Sequence, residues 1–447
     1  MDVGAHAHTH GASKPSATPA TSARPKSTVP MDALIIQGGR PLSGRVPVSG
    51  AKNAALPVMA ATLLAPGQHV LRNVPSLADT RTMARVIERL GAKVEFTDHQ
   101  CRIDTTHITS LEAPYDLVST MRASIYVLGP MIARFGSARV SLPGGCAWGP
   151  RPVNLHLEGL DAMGASLEID HGYIVAKNAK LRGTRIHHEV VSVGATAQLM
   201  MAATLAEGTT VIEGAALEPD ITALGEVLLQ CGARIEGLGS RTVTVHGVKE
   251  LRPIDTTIIP DRIEAATFMA AAAITGGSIT LESCQSEHLR ASIERLTEAG
   301  CAIESGHDEL TISGPVRPAA VTVTTQPYPG FPTDMQAQMM AVCSIADGES
   351  VITDTIYLDR FTHVPELARL GADIRLDHNV ATIRGVERLQ GAQVMATDIR
   401  ASAALVLAAL VAEGETRISR IYHLDRGYQA LDQKLTKLGA SIRRVKE

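Results

Sequence analysis

The chain repeats one local pattern six times, and this repetition is what most restricts its possible folds. In each copy a helix-like stretch ends in a Gly-Ala pair or a close variant and continues into a short alternating segment. The first glycines of these pairs are separated by 73, 68, 68, 71 and 68 residues, and they are Gly91, Gly164, Gly232, Gly300, Gly371 and Gly439. A second series keeps the same period, with glycine turns ahead of apolar strands at Gly67, Gly136, Gly208, Gly277, Gly348 and Gly414. So regular a period indicates one supersecondary unit used six times.

Each unit is predicted to combine a helix with short strands. Four apolar residues of the first unit have the i, i+3, i+4, i+7 spacing of one helix face, namely Met83, Val86, Ile87 and Leu90. The β-branched segments Thr209–Glu213 and Ser278–Leu281 follow glycine turns and predict strands. The units therefore predict a mixed α/β protein.

Six such units could form one solenoid or two closed sets of three. A solenoid needs polar caps at its ends, and the sequence has none, whereas two sets of three match ordinary domain sizes. The boundary between the sets is expected near Thr256–Arg262. The opening segment Ala33–Val48 belongs to no complete unit and could add a strand to either set.

Composition excludes several classes of function. The net charge of −4 gives no basic surface for nucleic acid or anionic lipid, and aromatic residues make up only 3%. The six cysteines are scattered without a CxxC pair, which favours a reducing, cytoplasmic environment. No apolar run is long enough to span a bilayer. Residues 1–30 are expected to form a disordered tail, because they are rich in small and polar residues and lack bulky apolar ones.

Three segments differ from the other copies and are therefore candidates for chemistry. The first runs from Leu142 to Pro152 and is predicted to be an irregular loop, since it holds three glycines and three prolines. Within it, Cys146 lies near Arg151, which would favour a reactive thiolate; the alternative is a passive surface thiol.

The second and third segments each place a charged residue at the expected start of a helix. Asp334 follows a proline-rich turn, Tyr328–Thr333. Either Thr333 or Asp334 caps the next helix, or Asp334 takes part in catalysis. Lys52 stands among small residues in Ser49–Ala54, where a cation and free backbone N–H groups suit an anion; the alternative is a solvated lysine.

Four arginines stand at the ends of predicted helices or strands. Separately they would be surface ion pairs, but facing one cleft they would bind phosphate or carboxylate through paired N–H groups. They are Arg122, Arg360, Arg400 and Arg426. Walker A and dinucleotide-binding patterns are absent, and His187-His188-Glu189 lacks the spacing of a zinc helix and is interpreted as a polar loop.

Four long motifs together resemble one enzyme family. They are Ser-Gly-Ala-Lys-Asn-Ala at 49–54, Pro-Gly-Gly-Cys at 143–146, Phe-Pro-Thr-Asp-Met-Gln-Ala-Gln at 331–338 and Tyr-His-Leu-Asp-Arg-Gly-Tyr at 422–428. From about Met31 to the C-terminus the sequence resembles the UDP-N-acetylglucosamine 1-carboxyvinyltransferases, which are enolpyruvyl transferases of peptidoglycan synthesis.

The resemblance implies a fold and a reaction. The fold is two inside-out α/β barrel domains, each of three βαβαββ repeats, one at 52–259 and the other at 31–51 plus 260–447. The reaction transfers the enolpyruvyl group of phosphoenolpyruvate to the 3′-hydroxyl of UDP-N-acetylglucosamine and releases phosphate, with no metal or organic cofactor. Proton transfer must occur at C3 of the donor and at the sugar hydroxyl, and a cationic clamp must hold the donor.

The resemblance also assigns residues to roles. Cys146 donates a proton to C3 and is the expected target of the epoxide antibiotic fosfomycin, while Asp334 is the expected base for the 3′-hydroxyl. Lys52, Arg122 and Arg426 form the donor clamp, and Asp398, Arg400 and Arg360 line the same cleft. Nucleotide-sugar contacts are expected from Asn53, Arg151, Pro152, Val153, Asn154, Leu155, Ser192, Val193, Gly194 and Ile356.

Two departures and two alternatives accompany the resemblance. Some family members have an acidic residue at the position of Asn154 and a lysine at that of Val190, so nucleotide contacts are expected to differ in detail. The 3-phosphoshikimate 1-carboxyvinyltransferases share the fold but lack the Pro-Gly-Gly-Cys loop. A non-catalytic repeat protein that binds a UDP-sugar would have lost residues such as Lys52 and Asp334. Positive charges from both halves are expected to converge on one anion. Without that anion they should repel each other and hold the empty cleft open.

Overall fold

The structure, a computed structural model, describes residues 32–143 and 153–446. Its helices are α1 (Lys52–Ala61), α2 (Ala78–Arg89), α3 (Tyr115–Val118), α4 (Leu128–Phe135), α5 (Asn154–Ala162), α6 (Val193–Ala203), α7 (Pro219–Gln230), α8 (Arg262–Thr275), α9 (Arg290–Glu298), α10 (Gln336–Cys343), α11 (Val364–Arg369), α12 (Ile399–Val411) and α13 (Leu431–Lys437). Short 3₁₀ helices span Thr62–Leu64, Arg122–Val127, Ser286–Leu289, Thr333–Met335 and Ile421–Arg426.

The strands fall into the same repeating order. They are β1 (Asp32–Gln37), β2 (Ser43–Pro47), β3 (Gln68–Arg72), β4 (Lys93–Thr97), β5 (Gln100–Asp104), β6 (Glu112–Ala113), β7 (Ala138–Ser141), β8 (Glu168–Asp170), β9 (Tyr173–Ala176), β10 (Arg185–His187), β11 (Thr209–Glu213), β12 (Arg234–Glu236), β13 (Thr242–His246), β14 (Asp255–Thr257), β15 (Ser278–Glu282), β16 (Ala302–Ser305), β17 (Glu309–Ser313), β18 (Thr322–Thr324), β19 (Glu349–Thr353), β20 (Asp373–Asp377), β21 (Val380–Arg384), β22 (Gln393–Met395), β23 (Glu415–Ser419) and β24 (Ser441–Lys446).

Among the described residues these strands form six sheets of four strands each. In the order β10-β11-β13-β12, for example, β10 runs parallel to β11 and the other neighbours are antiparallel. The sheets β6-β7-β9-β8, β14-β3-β5-β4 and β18-β19-β21-β20 repeat this arrangement. The predicted sixfold repetition is therefore one sheet topology used six times.

The N-terminal segment completes two of the sheets. In the order β22-β23-β1-β24, β1 stands where the other sheets have the last strand of their own unit. In β16-β17-β15-β2, β2 supplies the parallel edge. Residues 33–48 therefore add two strands to the set of units at the other end of the chain, where the sequence predicted one strand in an undecided place.

The buried apolar residues form two cores. One joins Leu34–Val48 to residues 263–440, and the other spans Ala51–Ile258. We call residues 51–258 the first half and residues 32–50 with 259–446 the second half. These cores support the domain boundaries expected from the resemblance, which stay a prediction.

In each half the most apolar helices, such as α6 in the first half, lie inside and the sheets lie outside. Every residue of α10 is buried, and α12 is buried from Arg400 to Leu410, so these helices have no solvent-facing side. Strands such as β11 and β15 instead alternate buried and exposed residues, because one face of each sheet lies on the helices and the other meets solvent. The arrangement is the inside-out α/β fold that the resemblance implied.

The repeat glycines end helices as predicted. All six glycines of the Gly-Ala series have positive φ, between 91° and 109°, and this conformation favours glycine after a helix. In the second series the fourth copy is an exception, because Gly276 rather than Gly277 takes the positive φ.

The chain passes between the halves at two neighbouring points. The backbone N–H of Ala51 donates to the carbonyl of Ile259 at 2.7 Å, and that of Asp261 donates to Ser49 at 2.8 Å. A side chain at Gly50 would meet the carbonyl oxygen of Asn73 at 1.7 Å, so glycine is required there. This crossing places the start of α1, and with it Lys52, at the junction of the halves.

In the part of the chain that the structure describes, no helix is both long and apolar enough to cross a bilayer.

Candidate active site

A buried carboxylate joins two of the predicted clamp residues. Asp79, in the first turn of α2, accepts a hydrogen bond from Nε of Arg426 at 2.9 Å through Oδ1. Its other oxygen, Oδ2, lies 3.6 Å from Nζ of Lys52. Lys52 and Arg426 come from different halves, so the structure brings together two residues that are 374 positions apart in the sequence.

A second carboxylate, Asp334, is held by two arginines. Its Oδ1 lies 2.8 Å from Nη2 of Arg360, and its Oδ2 accepts a hydrogen bond from Nη2 of Arg400 at 3.0 Å. Burial alone would raise the pKa of Asp334, but the charges and hydrogen bonds of Arg400 and Arg360 hold that pKa well below its usual range. Asp334 is therefore an ionised carboxylate at neutral pH.

The helix-capping alternative for this segment is wrong. Thr333 and Asp334 lie in a 3₁₀ turn ahead of α10, whose N-cap is Met335 and has no side-chain capping bond. The Thr333 hydroxyl instead donates to Asp354 at 2.6 Å and accepts from Arg360 at 3.1 Å. The turn thus presents Asp334 to the arginines instead of ending a helix.

Backbone capping fixes the position of Arg400. Asp398 caps α12, with Oδ1 accepting from the backbone N–H groups of Arg400 at 2.8 Å and Ala401 at 3.2 Å. The guanidinium carbon of Arg400 lies 5.4 Å from the centre of the Tyr428 ring. The Tyr428 hydroxyl in turn accepts a hydrogen bond from Gln338 at 3.0 Å. Arg400 is therefore held both at its backbone and along its side chain.

The two carboxylate clusters belong to one site, which we call the anion pocket and which comprises Lys52, Asp79, Asp334, Arg360, Arg400 and Arg426. Burial lowers the pKa of Lys52, and the charges of Arg400 and Arg426 lower it further, whereas Asp79 and Asp334 raise it. These mutual effects require the groups to be close. The structure thus unites five residues that the sequence singled out.

The pocket also bears on the expectation that an empty cleft repels itself open, which stays a prediction. Four cations, Lys52, Arg360, Arg400 and Arg426, are each paired with Asp79 or Asp334. Two carboxylates compensate two of these four positive charges, so the repulsion on which that expectation depended is reduced but not removed.

Hydrogen bonds where the chain crosses between the halves fix the backbone of Lys52. The backbone N–H of Lys52 donates to the carboxylate of Asp261 at 3.3 Å. The same carboxylate also accepts from the backbone N–H groups of Ile263 and Glu264, and it thereby caps the start of α8. Glu264, which is 2% exposed, pairs with Lys434 at 2.7 Å. The start of α1 is therefore tied directly to the start of α8.

The expected nucleotide segments lie against each other in the first half. Ser192 caps α6, with its hydroxyl accepting from Ala195 at 3.2 Å, and Val193 and Gly194 begin that helix. A Cβ added at Gly194 would lie 2.9 Å from Nε2 of His156. His156 belongs to α5, which starts at Asn154 with Val153 as its N-cap, so the helix starts near 154 and 193 share one wall.

Electrostatic effects place Arg122 beside this wall. Burial lowers the pKa of His156 to about 3, and the charges of Arg122 and His188 add to that effect. Burial raises the pKa of Tyr126 to about 12, and the charge of Arg122 opposes the rise. Arg122, which begins a 3₁₀ helix, thus lies near both rings.

The remaining residues predicted to contact the nucleotide sugar are half-buried or exposed. Asn53 is half-buried in the first turn of α1, and Leu155 is half-buried in α5. Asn154 is exposed and donates to Glu158 at 3.2 Å, while Ile356 lies 37% exposed in the loop after β19. Val190, one of the two departures, is 68% exposed.

One segment interpreted as a polar loop is ordered differently. His187 ends strand β10, which pairs with β11, and His188 is only 5% exposed. The interpretation of His187-His188-Glu189 as a loop is wrong at His187, because the parallel edge strand of this repeat ends there, whereas His188 follows the strand and is buried.

Cys146, Arg151 and Pro152 lie outside the described residues. The other five cysteines are free and buried, and burial raises the pKa of each thiol to about 11 or 12. Such thiols are poor nucleophiles at neutral pH. The assignment of a reactive thiol to Cys146 stays a prediction.

Sequence reasoning missed the acidic residues that organise the site. Asp79 stands twelve residues before the repeat glycine Gly91, and Asp220 stands twelve before Gly232. Both are buried and both pair with an arginine of the second half, Asp220 with Arg262 at 3.7 Å. A comparison of equivalent positions in the repeats would have revealed them. Asp354, which holds Thr333, follows β19 and gave no signal of this kind.

Comparison with known proteins agrees with this geometry. The family model described as EPSP synthase (3-phosphoshikimate 1-carboxyvinyltransferase) matches residues 36–435. Proteins from Geobacter metallireducens and Thermodesulfovibrio yellowstonii, both named UDP-N-acetylglucosamine 1-carboxyvinyltransferase, are each 56% identical to the chain over 417 residues. In both cases the match covers 93% of this chain and all of the relative. The chain belongs to the UDP-N-acetylglucosamine 1-carboxyvinyltransferase family.

Solved structures agree on the fold. An enolpyruvyl transferase from Streptomyces tendae matches with a TM-score of 0.85 and 28% identity, covering 94% of this chain and all of that one. EPSP synthase from Acinetobacter baumannii matches with a TM-score of 0.73 over 93% of this chain and all of that one, at 18% identity, which shows the shared fold alone. The protein is thus an enzyme of the enolpyruvyl transferase fold, as the resemblance implied.

Proposed function

We propose that this enzyme transfers the enolpyruvyl group of phosphoenolpyruvate to the 3′-hydroxyl of UDP-N-acetylglucosamine and releases phosphate, as a step of peptidoglycan synthesis in the cytoplasm. The observation that carries the proposal is the anion pocket, in which an ionised carboxylate, Asp334, lies among cations from both halves. The names of the relatives supply the acceptor.

The cations suit a donor with two anionic groups. Phosphoenolpyruvate carries a carboxylate and a phosphate, and arginine binds such groups through paired N–H donors. Lys52 and Arg426 both pair with the carboxylate of Asp79. Arg400 is close enough to lower the pKa of Lys52. We assign Lys52 and Arg426 to the donor, and we add Arg122 because the resemblance implies it.

The addition step needs a proton acceptor at the sugar hydroxyl. As the hydroxyl oxygen bonds to C2 of the donor, its proton becomes strongly acidic, so a carboxylate with a low pKa can accept it. Asp334 is such a carboxylate, and its side chain is 27% exposed. Meanwhile C3 gains a proton, which we assign to Cys146, to give a tetrahedral adduct. Elimination then removes a proton from C3 and breaks the C2–O bond to phosphate.

The nucleotide is assigned to the wall formed by the starts of α5 and α6. Helix starts offer free N–H groups to anions, and Ser192, Val193 and Gly194 provide one beside His156. Ile356, on the loop of the second half that leads to Arg360, is assigned to the same nucleotide.

Phosphate release tests the proposal. Purified enzyme with phosphoenolpyruvate and UDP-N-acetylglucosamine is expected to release phosphate, and shikimate 3-phosphate as acceptor is expected to give none. Release with shikimate 3-phosphate as acceptor, but not with UDP-N-acetylglucosamine, would instead favour a 3-phosphoshikimate 1-carboxyvinyltransferase, the activity that the description of the matching family model names.

Variants of Asp334 separate catalysis from binding. Asp334→Ala and Asp334→Asn are expected to abolish turnover while calorimetry still detects the UDP-sugar. Asp373→Ala, at an exposed position of β20, is the matched control and should keep full activity. Turnover near the wild-type rate in Asp334→Asn would refute the assignment of the base.

A further inference from the structure

Asp79 occupies a place in the anion pocket that the transfer reaction as proposed does not explain. It is 5% exposed, and it takes one cation on each oxygen, Arg426 on Oδ1 and Lys52 on Oδ2. Lys52 begins a helix of the first half, whereas Arg426 ends a 3₁₀ helix of the second half. One carboxylate thus connects the two halves through residues assigned to the donor.

The geometry leaves both cations able to bind an anion. Asp79 holds Arg426 through Nε, and within residues 32–143 and 153–446 the terminal Nη groups make no other hydrogen bond or ion pair. The Lys52 distance of 3.6 Å is that of an ion pair and exceeds a hydrogen bond. Asp79 therefore orients the two cations without using the donors that would recognise a carboxylate or phosphate.

The charge of Asp79 also favours the ammonium form of Lys52. Burial lowers the pKa of Lys52 and two arginines add to this effect; among the opposing charges, that of Asp79 is the largest. Without Asp79 the lysine would lose its proton at a lower pH, and it would then no longer attract an anion.

The equivalent residue of another repeat makes a comparable contact. Asp220 stands at the same distance from its repeat glycine as Asp79, and it pairs with Arg262 of the second half. An aspartate at this helix position thus contacts the opposite half in two copies, but only Asp79 reaches residues of the anion pocket.

We propose that Asp79 is a positioning residue of the transfer reaction, whose carboxylate holds Lys52 and Arg426 in place across the cleft so that both halves form one pocket for phosphoenolpyruvate. This inference rests on the proposed function. It adds a residue that acts on the substrate only through two others.

The test replaces Asp79 by asparagine, which keeps its shape and removes its charge. Glu88→Gln, an exposed position of the same helix, is the matched control. In Asp79→Asn the KM for phosphoenolpyruvate is expected to rise by about tenfold or more, while the KM for UDP-N-acetylglucosamine stays within about twofold. The alkaline limb of kcat/KM for phosphoenolpyruvate should also move to lower pH, a change that a merely structural role would not produce.

A charge-conserving variant guards against loss of folding. Asp79→Glu keeps the negative charge but displaces the carboxylate, so the KM for phosphoenolpyruvate should rise while the alkaline limb moves less than in Asp79→Asn. If Asp79→Asn does not fold, Asp79→Glu with an unchanged KM for phosphoenolpyruvate would overturn the inference. An equal rise in both KM values, or an unmoved alkaline limb in Asp79→Asn, would also overturn it. The proposed function is tested separately, by phosphate release from the wild-type enzyme.

Discussion

The ion pairs of Asp334 allow a quantitative prediction about stability. Asp334 holds Arg400 at 3.0 Å and Arg360 at 2.8 Å, and both arginines are less than a tenth exposed. The perturbation is a double-mutant cycle in which Asp334→Ala and Arg400→Met are made singly and together. The two changes remove the same interaction from opposite sides.

The expected magnitudes follow from which charges are left buried. Removing one partner of a buried pair typically costs about 3–5 kcal/mol. Asp334→Ala leaves both guanidinium groups without their carboxylate, so we expect a cost of about 3–5 kcal/mol. Arg400→Met leaves Asp334 with Arg360 and partly exposed, so we expect only about 2–3 kcal/mol. In the double variant one charge, Arg360, stays unpaired, and the total cost should fall short of the sum by about 1–3 kcal/mol.

Denaturant unfolding provides the assay, with the free energy of unfolding taken from the midpoint and the slope of each transition. Asp373→Ala serves as the surface control and should lie within about 0.5 kcal/mol of wild type. Costs that add within about 0.5 kcal/mol would refute the reasoning, because independent sites behave in that way. A larger cost for Arg400→Met than for Asp334→Ala would refute it as well.

Three further predictions concern other parts of the molecule. Gly194→Ala should raise the KM for the UDP-sugar more than that for phosphoenolpyruvate in steady-state kinetics, since the new Cβ would lie 2.9 Å from His156; equal changes would contradict the assigned wall. Burial raises the pKa of Asp220 to about 6, although Arg262 opposes this. Folding therefore favours the protonated form of Asp220. As the pH rises from about 4 to about 6, the free energy of unfolding of wild type should fall by up to about 3 kcal/mol relative to that of Asp220→Asn. Parallel pH profiles of the two unfolding free energies would contradict this prediction. Fosfomycin should alkylate Cys146, and mass spectrometry that found the adduct on a buried cysteine would contradict the thiol assignment.

Much of the fold could be predicted because its signals are local. Met83, Val86, Ile87 and Leu90 are fully buried on the face that their spacing predicted. The predicted strand Thr209–Glu213 is β11 with the same bounds, and Ser278–Leu281 is β15 without its last residue. Glycine turns, helix periodicity and strand alternation all act within a few residues, so a sequence can reveal them.

The destination of the N-terminal segment could not be predicted in the same way. Strands β1 and β2 pair with β23, β24 and β15, which lie hundreds of residues away. Residues 33–48 could have added a strand to either half, because pairing between distant strands depends on which sheet has an unfilled edge. Only the assembled units show where two strands are missing.

The sequence alone determined that this protein is built from six copies of an α/β unit and that Lys52 and Asp334 stand in segments that differ from the other copies. Only the tertiary structure decided which charges face each other, and it revealed Asp79 as the partner that Lys52 and Arg426 share. The physical reason is distance. Helix and turn formation depends on neighbours in the chain, whereas an ion pair depends on separation in space, and these partners meet only where the two folded halves lie against each other.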